Sequence, residues 1–150
     1  TSINDFQKTL SVNLITPFLL SKILKKRLKA SKGFIINIGS IHNKLTLPNF
    51  MSYAATKTAL SSISRSFAIE YGSSVKVIEV NPAAIDTKML KKGLSKNEYK
   101  TISNLNPCSE IIKTNEFANF ISMLINSGNF QSLNGSSINI DGGISFCLKN

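Results

Sequence analysis

The chain has 150 residues, enough for one globular domain with a buried core. Its content of 42% apolar and 17% charged residues excludes collagen-like, disordered and disulfide-scaffold classes. The formal net charge is +10 at pH 7, but all basic residues except Arg27 and Arg65 are Lys, which argues against sequence-specific reading of nucleic acid.

Residues 2–30 are predicted to form one long helix, because apolar residues recur there at helical spacing. Ser2 and Asp5 resemble a shortened capping box at its start. Pro17 lies four residues after Asn13 and has no N–H for the Asn13 carbonyl, which predicts a kink and a water bound to that carbonyl. A purely structural kink is the alternative. Four lysines near the helix end are predicted to be solvated, namely Lys22, Lys25, Lys26 and Lys29.

The middle of the chain alternates strand and helix patterns. Residues 33–39 are a short apolar run bounded by glycines, as expected of a strand buried on both faces of a parallel sheet. Residues 51–71 have helical spacing and stop at Gly72. Residues 75–80 predict a second strand that ends at Asn81 and Pro82, since Pro cannot continue a central strand.

The last third begins with a long irregular segment, residues 83–115, which predicts a substrate loop containing a short helix. Residues 116–126 regain helical spacing, and residues 137–140 predict a third strand before a turn at Asp141. The alternation predicts a single α/β domain over residues 1–150, with a parallel sheet of about three strands covered by helices. Ligands of such sheets bind beyond the carboxyl ends of the strands.

Three residues with potentially reactive side chains are predicted to lie near that edge. Ser40 follows the first predicted strand, and Tyr53 and Lys57 are one turn apart on the next helix. A nearby ammonium favours the phenolate form and so lowers a tyrosine pKa from its ordinary value near 10. Such a tyrosine can exchange a proton with an alcohol or carbonyl oxygen.

These residues, in order with Asn13 and Asn81-Pro82, resemble the short-chain dehydrogenase/reductase family. The likeness runs from Ser11-Val12-Asn13-Leu14 to Ile140-Asp141-Gly142-Gly143. It implies the C-terminal part of a doubly wound Rossmann-type fold and hydride transfer between NAD(P) and a carbonyl compound or secondary alcohol. It also implies that Tyr53 is the acid/base, that Ser40 orients the substrate oxygen, that Lys57 lowers the Tyr53 pKa, and that Asn13 holds a relay water.

The same resemblance implies where the cofactor, NAD or NADP, would bind. Tyr53 and Lys57 would contact the nicotinamide ribose, and the segment with Pro82, Ile85 and Thr87 would lie against the nicotinamide. Thr87 could instead serve only as the N-cap of a loop helix. The family also implies a homodimer or homotetramer built through helices 2–30 and 51–71.

The sequence departs from the family pattern at two points. No glycine-rich phosphate-binding turn occurs, so we expect very weak dinucleotide affinity and a chain that represents the C-terminal part of an enzyme. Without earlier strands, the strand at 33–39 would have an exposed apolar edge that promotes association. Ala83 replaces the usual Gly after Pro82, which is tolerated only if its φ is negative.

The sequence also bears on alternative functions, the cysteines, His42 and the location of the protein. A non-catalytic remnant or oligomerisation module is the alternative to the enzyme, and binding of duplex DNA is disfavoured because no recognition motif accompanies the charge. Cys108 and Cys147 form no CxxC or Cys/His cluster, so we expect reduced thiols and no metal site. His42 is predicted to be solvated rather than to contact substrate. We expect no membrane partner and a cytoplasmic location, since no transmembrane run or signal peptide pattern occurs.

Overall fold

A computed structural model describes residues 1–126 and 131–147 of the chain. The main elements are helices and strands, and the short 3₁₀ turns of the described residues are left unlabelled, namely Ile41–Asn43, Gly72–Ser74, Gln131–Leu133 and Ile144–Phe146. In chain order the elements are α1 (Ile3–Leu10), a π-helical segment (Ser11–Ile15), α2 (Thr16–Ala30), β1 (Phe34–Ile38), α3 (Met51–Tyr71), β2 (Lys76–Pro82), α4 (Lys88–Gly93), α5 (Lys96–Leu105), α6 (Thr114–Asn126) and β3 (Ser137–Ile140).

The three strands form one sheet in the order β1-β2-β3, which is the α/β Rossmann-type arrangement that the sequence predicts. β1 pairs in parallel with β2, and Ile38 lies opposite Val80. The Glu79 N–H donates to the Ser136 carbonyl just before β3, and the Ala83 N–H just after β2 donates to the Ile140 carbonyl. The strand therefore continues through Pro82, two residues beyond the predicted end. Glu79 and Ala83 are the donors towards β3, so the missing N–H of Pro82 removes no hydrogen bond to that strand.

Two compact units divide the described residues. Residues 1–81 with 131–138 form the first, and residues 82–126 with 139–147 form the second. The first unit contains an apolar core cluster, in which α3 packs on β2 and on the residue that precedes it. Its buried members are Phe67, Ala68, Tyr71, Val75 and Val77.

The N-terminal helix is interrupted where a kink is predicted. The Ser2 hydroxyl accepts the Asp5 N–H at 3.1 Å, so the predicted cap is present. Helical geometry then widens to a π-helix over Ser11–Ile15, and Pro17 follows in the first turn of α2. A π segment accommodates the hydrogen bond that the proline cannot make.

The basic end of α2 is only partly a solvated face. The Lys25 ammonium lies 4.2 Å from the centroid of the Tyr71 ring, and that of Lys22 lies 5.9 Å from the Phe18 ring. Tyr71 in turn donates its hydroxyl to the Ser21 carbonyl at 3.2 Å. Two of the four ammonium groups thus lie against aromatic rings, which the prediction of solvated side chains missed.

The second unit contains more helix than predicted, since α4 and α5 both lie within the 83–115 segment. A capping box formed by Ser95 and Glu98 starts α5. Gly142 has a φ of 60°, and a Cβ there would overlap the Asn106 amide, so this turn after β3 requires glycine. Ala83 does not have a positive φ, so the alanine is tolerated there.

Both cysteines are free and exposed, as expected. None of the helices in the described part of the chain is long and apolar enough to span a bilayer.

Candidate active site

Lys57 links the helix that carries Tyr53 to the strand that leads to Ser40. Its ammonium lies 5.5 Å from the centroid of the Tyr53 ring, as the spacing of one helical turn predicts. It also donates a hydrogen bond of 2.8 Å to the carbonyl of Ile38, the last residue of β1. The cation is therefore fixed between the phenol ring and the end of the strand.

Lys57 also lines a groove in the first unit. The groove has a volume of about 430 Å³ and lies along β1, between that strand and the N-terminal helices. Burial lowers the pKa of the Lys57 ammonium, and the negative charge of Glu79 partly opposes this effect. Of the other predicted site residues, Asn13 lines the same groove.

Asn13 is bonded to α3 at the turn that carries Tyr53. Its amide donates to the Thr56 hydroxyl at 3.2 Å, and that hydroxyl donates to the Tyr53 carbonyl at 2.8 Å. Thr56 is buried. The π-helical segment is thus connected through two hydrogen bonds to the backbone of the candidate acid/base, whereas the predicted water remains a prediction.

Ser40 is buried at the start of a short 3₁₀ turn, Ile41–Asn43. Its hydroxyl accepts the His42 N–H at 3.2 Å, and its own N–H donates to the Asn81 side-chain oxygen at 3.0 Å. Backbone and side chain of Ser40 are therefore both held by hydrogen bonds. The hydroxyl proton is not used in these bonds and can be donated to an oxygen.

His42 is not solvated as predicted, because its ring packs between two aromatic residues. It stacks on Phe50 with a centroid separation of 4.7 Å and meets the Tyr53 ring edge-on at 5.5 Å. Burial lowers the pKa of His42. Its Nδ1 is buried without a hydrogen-bond partner among the described residues. The ring therefore connects the Ser40 turn to Tyr53.

The remaining predicted residues belong to the second unit. Pro82 is buried at the end of β2, and Ile85 forms an isolated parallel bridge with Ile112. The Thr87 hydroxyl accepts the Leu90 N–H at 3.2 Å and caps α4, so its structural role as an N-cap is real. Its proton remains available to donate to a ligand.

Two buried polar residues of β2 escaped the sequence interpretation, Glu79 and the side chain of Asn81. A signal for them exists, because an acidic residue within the apolar run Val77-Ile78-Glu79-Val80 is unusual for a doubly covered strand. A charged group in such a position needs hydrogen-bond partners. The pattern therefore indicates a buried polar cluster, whose partners only the fold identifies.

Comparison with known proteins finds a family and relatives that match nearly the whole of this chain. Residues 1–145 match a family described as enoyl-(acyl carrier protein) reductase. The chain is 29% identical over 142 residues to carbonyl reductase [NADPH] 2 of Sus scrofa, covering 92% of this chain and 58% of that protein. It is 30% identical over 145 residues to L-xylulose reductase of Caenorhabditis elegans, covering 94% and 57%.

A solved structure shows the same arrangement of elements. The structure of ElxO with NADP bound superposes with a TM-score of 0.87 and is 27% identical in sequence. The match covers 98% of this chain and 60% of that one. The chain thus spans somewhat more than half the length of these three proteins.

Proposed function

The chain belongs to the short-chain dehydrogenase/reductase family, and on that premise we propose that its protein transfers hydride between NAD(P) and a carbonyl compound or secondary alcohol. The observation that carries the proposal is the placement of Lys57. Its ammonium is held beside the Tyr53 ring by the carbonyl at the end of β1, two residues before Ser40. A lysine that served only as a solvated surface residue of α3 would not be expected to form this hydrogen bond to the end of β1.

Tyr53 is proposed to move the proton of the reaction. In the reductive direction its hydroxyl donates a proton to the substrate oxygen, and in oxidation the phenolate takes the alcohol proton. The neighbouring Lys57 ammonium stabilises the phenolate electrostatically. Ser40 donates its free hydroxyl proton to the same substrate oxygen and so orients it.

We propose that donor groups in each of the two units serve the nicotinamide end of a dinucleotide. Lys57 uses one of its three ammonium protons on Ile38, which leaves two for ribose hydroxyls. Thr87 retains a donor proton suited to a carboxamide oxygen, and Pro82 and Ile85 would supply apolar contact. The bound cofactor would supply or accept the hydride. Because one relative is named for NADPH and one structure holds NADP, NADPH is the form to test first.

The proposal for Asn13 is that it stabilises the site through α3 and holds a water near the π segment. Its side chain is bonded to Thr56, and the irregular helix beside it alters the local pattern of carbonyl acceptors. Such a water would connect Lys57 to solvent and resupply the proton that Tyr53 donates.

Self-association through the long helices is part of the proposal. Both α2 and α3 expose large apolar side chains, including Ile23 at 72% and Ile69 at 83% exposure. Exposed apolar residues on helices are suited to contacts between copies. The same surfaces would serve the alternative, a non-catalytic interaction module.

Isotope transfer tests the proposed reaction. The natural polypeptide that carries these 150 residues is incubated with NADPH deuterated at the reactive nicotinamide carbon and with a panel of ketones and aldehydes. The proposal expects deuterium on the new carbinol carbon, detected by mass spectrometry. If the protein binds NADPH but transfers deuterium to none of the ketones and aldehydes, the result would support the interaction module instead.

A further inference from the structure

Glu79 is a buried carboxylate surrounded by hydrogen-bond donors. It is 2% exposed. Its Oε1 accepts the Ser61 hydroxyl at 2.5 Å, and its Oε2 accepts the Ser137 hydroxyl at 2.8 Å and the Asn81 amide at 3.4 Å. Burial of a carboxylate is strongly unfavourable unless donors such as these stabilise the charged form. The arrangement is therefore suited to an ionised Glu79.

The carboxylate determines which way the Asn81 amide points. An ionised carboxylate can only accept, so the NH₂ group of Asn81 faces Glu79 and also donates to Ser137 at 2.7 Å. The amide oxygen is then directed to the Ser40 N–H, at 3.0 Å. A chain of hydrogen bonds thus leads from Glu79 to the backbone of Ser40.

Gly39 makes room for this cluster directly before Ser40. A Cβ at position 39 would overlap the Asn81 amide oxygen and come within 2.8 Å of Glu79 Oε1. The glycine therefore permits two polar side chains to approach the end of β1 closely. The approach occurs at the residue that connects the strand to Ser40.

The same carboxylate is bonded to α3 one turn beyond Lys57. Ser61, its donor, lies four residues after Lys57 and on the same helical face. The charge of Glu79 raises the pKa of Lys57 against the larger lowering by burial. Within the described part of the chain, Lys57 interacts with two ionisable groups, Glu79 from β2 and Tyr53 from its own helix. The N-terminal helices contribute neutral groups to its groove, such as Asn13 and Ser21, and β1 contributes the Ile38 carbonyl.

We infer that Glu79 is a positioning residue for the reaction proposed above: it fixes the backbone of Ser40 through Asn81 and supplies a buried negative charge to the Lys57 ammonium. It touches neither substrate nor the reacting atoms. The inference rests on the proposed function for its catalytic meaning, whereas its two physical links can be measured on the chain alone.

The link to Lys57 is tested with Glu79→Gln, which removes the charge and keeps the size of the side chain. The protein is labelled with ¹³C at the lysine ε carbons, and the Lys57 signal is assigned with Lys57→Arg and followed against pH. We expect the Lys57 titration midpoint to fall in Glu79→Gln, by more than that of any other lysine. The matched control is Glu70→Gln, which removes an exposed carboxylate on the helix that also carries Lys57. We expect it to leave the Lys57 midpoint unchanged. Equal Lys57 midpoints in wild type and Glu79→Gln would overturn this link.

The link to Ser40 is tested with Asn81→Ala, which needs no change at Glu79 and covers the case that Glu79→Gln does not fold. We expect amide hydrogen exchange at Ser40 to become faster by about tenfold, as for the loss of one hydrogen bond. In the active polypeptide, kcat falls while the KM for the nucleotide changes little. Unchanged exchange at Ser40 would overturn the positioning role. Both NMR readouts are made without cofactor, so absence of hydride transfer in the wild type would refute the proposed function and not this inference.

Discussion

Lys57 experiences opposing influences, because burial disfavours its charge while Glu79 and the Ile38 carbonyl favour it. Its ammonium is the positive group fixed beside the Tyr53 ring. Chemistry at Tyr53 should therefore depend on the protonation of Lys57. At high pH the buried ammonium loses its proton earlier than an exposed lysine would, and the stabilisation of the phenolate is lost with it.

Lys57→Ala is expected to weaken NADPH binding and to shift the pH profile of alcohol oxidation upwards. The substitution removes the positive charge fixed beside the Tyr53 ring, on which the proposed proton transfer depends. Fluorescence titration with NADPH and kcat/KM measured against pH check the two effects. Lys8→Ala, in exposed α1, serves as the control. A profile that coincides with wild type would refute the electrostatic role of Lys57.

His42 should make folding stability depend on pH. Burial lowers its pKa in the folded state, so the unfolded chain binds the proton first as pH falls below about 6.5. Stability is then fully present above that pH and decreases on acidification towards the folded-state pKa. His42→Phe keeps the stacking on Phe50 and removes the titration, so its urea-unfolding free energy should change less between neutral and mildly acidic pH. An identical change in both proteins would exclude His42 as the source.

At the residue level, spacing was informative where function depends on helical geometry. Tyr53 and Lys57 must share a face if they are one turn apart, and the structure places them so. The surroundings of His42 could not be predicted, because its partner Phe50 reaches it only through the path of the intervening loop. The partners of Glu79 come from α3 and from the residue that opens β3, contacts between distant parts of the chain that periodicity does not encode.

The two halves of helix α3 have different roles. Its N-terminal half carries Tyr53 and Lys57, and its C-terminal half packs the core through Phe67 and Tyr71. The Phe67 ring stacks on Phe18 at 5.6 Å and on Tyr71 at 5.0 Å. Packing of the second half should therefore determine how firmly the first half is held.

Phe67→Ala is expected to destabilise the fold by about 3–5 kcal/mol, because it leaves a cavity beneath two aromatic rings. Ile69→Ala, two residues along the same helix and 83% exposed, should change stability by less than about 0.5 kcal/mol. Urea unfolding followed by circular dichroism compares the two. Similar losses in both variants would show that this cluster does not dominate stability.

Strong periodicity predicted whole elements well. The bounds of α3 and β3 agree with the sequence analysis, and turn residues follow both elements, Gly72 after α3 and Asp141-Gly142 after β3. The π segment did not follow from periodicity, although Pro17 identified the place of the irregularity. Helices α4 and α5 were underestimated because short helices depend on capping, here by Thr87 and Ser95, more than on an apolar stripe.

For the whole molecule, the position of β1 at the edge of the sheet is significant. Among the residues that the structure describes, β1 pairs only with β2, so its other edge is unpaired and lies along the groove. Ile38 on this strand is 40% exposed. Open apolar edges associate with other chains. The isolated 150-residue chain should therefore associate through β1, in competition with the helix surfaces expected from the family.

Ile38→Lys and Ile69→Lys separate these two routes, since one alters the strand edge and the other the exposed face of α3. Sedimentation velocity should show that Ile38→Lys shifts the isolated chain towards monomer, because an edge lysine opposes strand pairing. Ile69→Lys should leave the edge association in place. The reverse pattern would assign self-association to the helices.

The sequence predicted the α/β class and a sheet of three strands because alternation of helix and strand restricts the possible topologies. The division into two compact units did not follow from it, since no composition shift occurs between residues 81 and 82. Prediction of a single domain over residues 1–150 remains a prediction, as does the weak dinucleotide affinity expected without a glycine-rich turn.

The proton role of Tyr53 is measured most directly with Tyr53→Phe in the natural polypeptide that carries these residues. Its turnover is compared with Tyr71→Phe, which removes a hydroxyl bonded to Ser21 in the core. The predicted result is a loss of about 10²–10⁴-fold in kcat for Tyr53→Phe, with NADPH binding nearly unchanged and turnover retained in Tyr71→Phe. Wild-type turnover by Tyr53→Phe would contradict the assignment of that phenol as the proton donor.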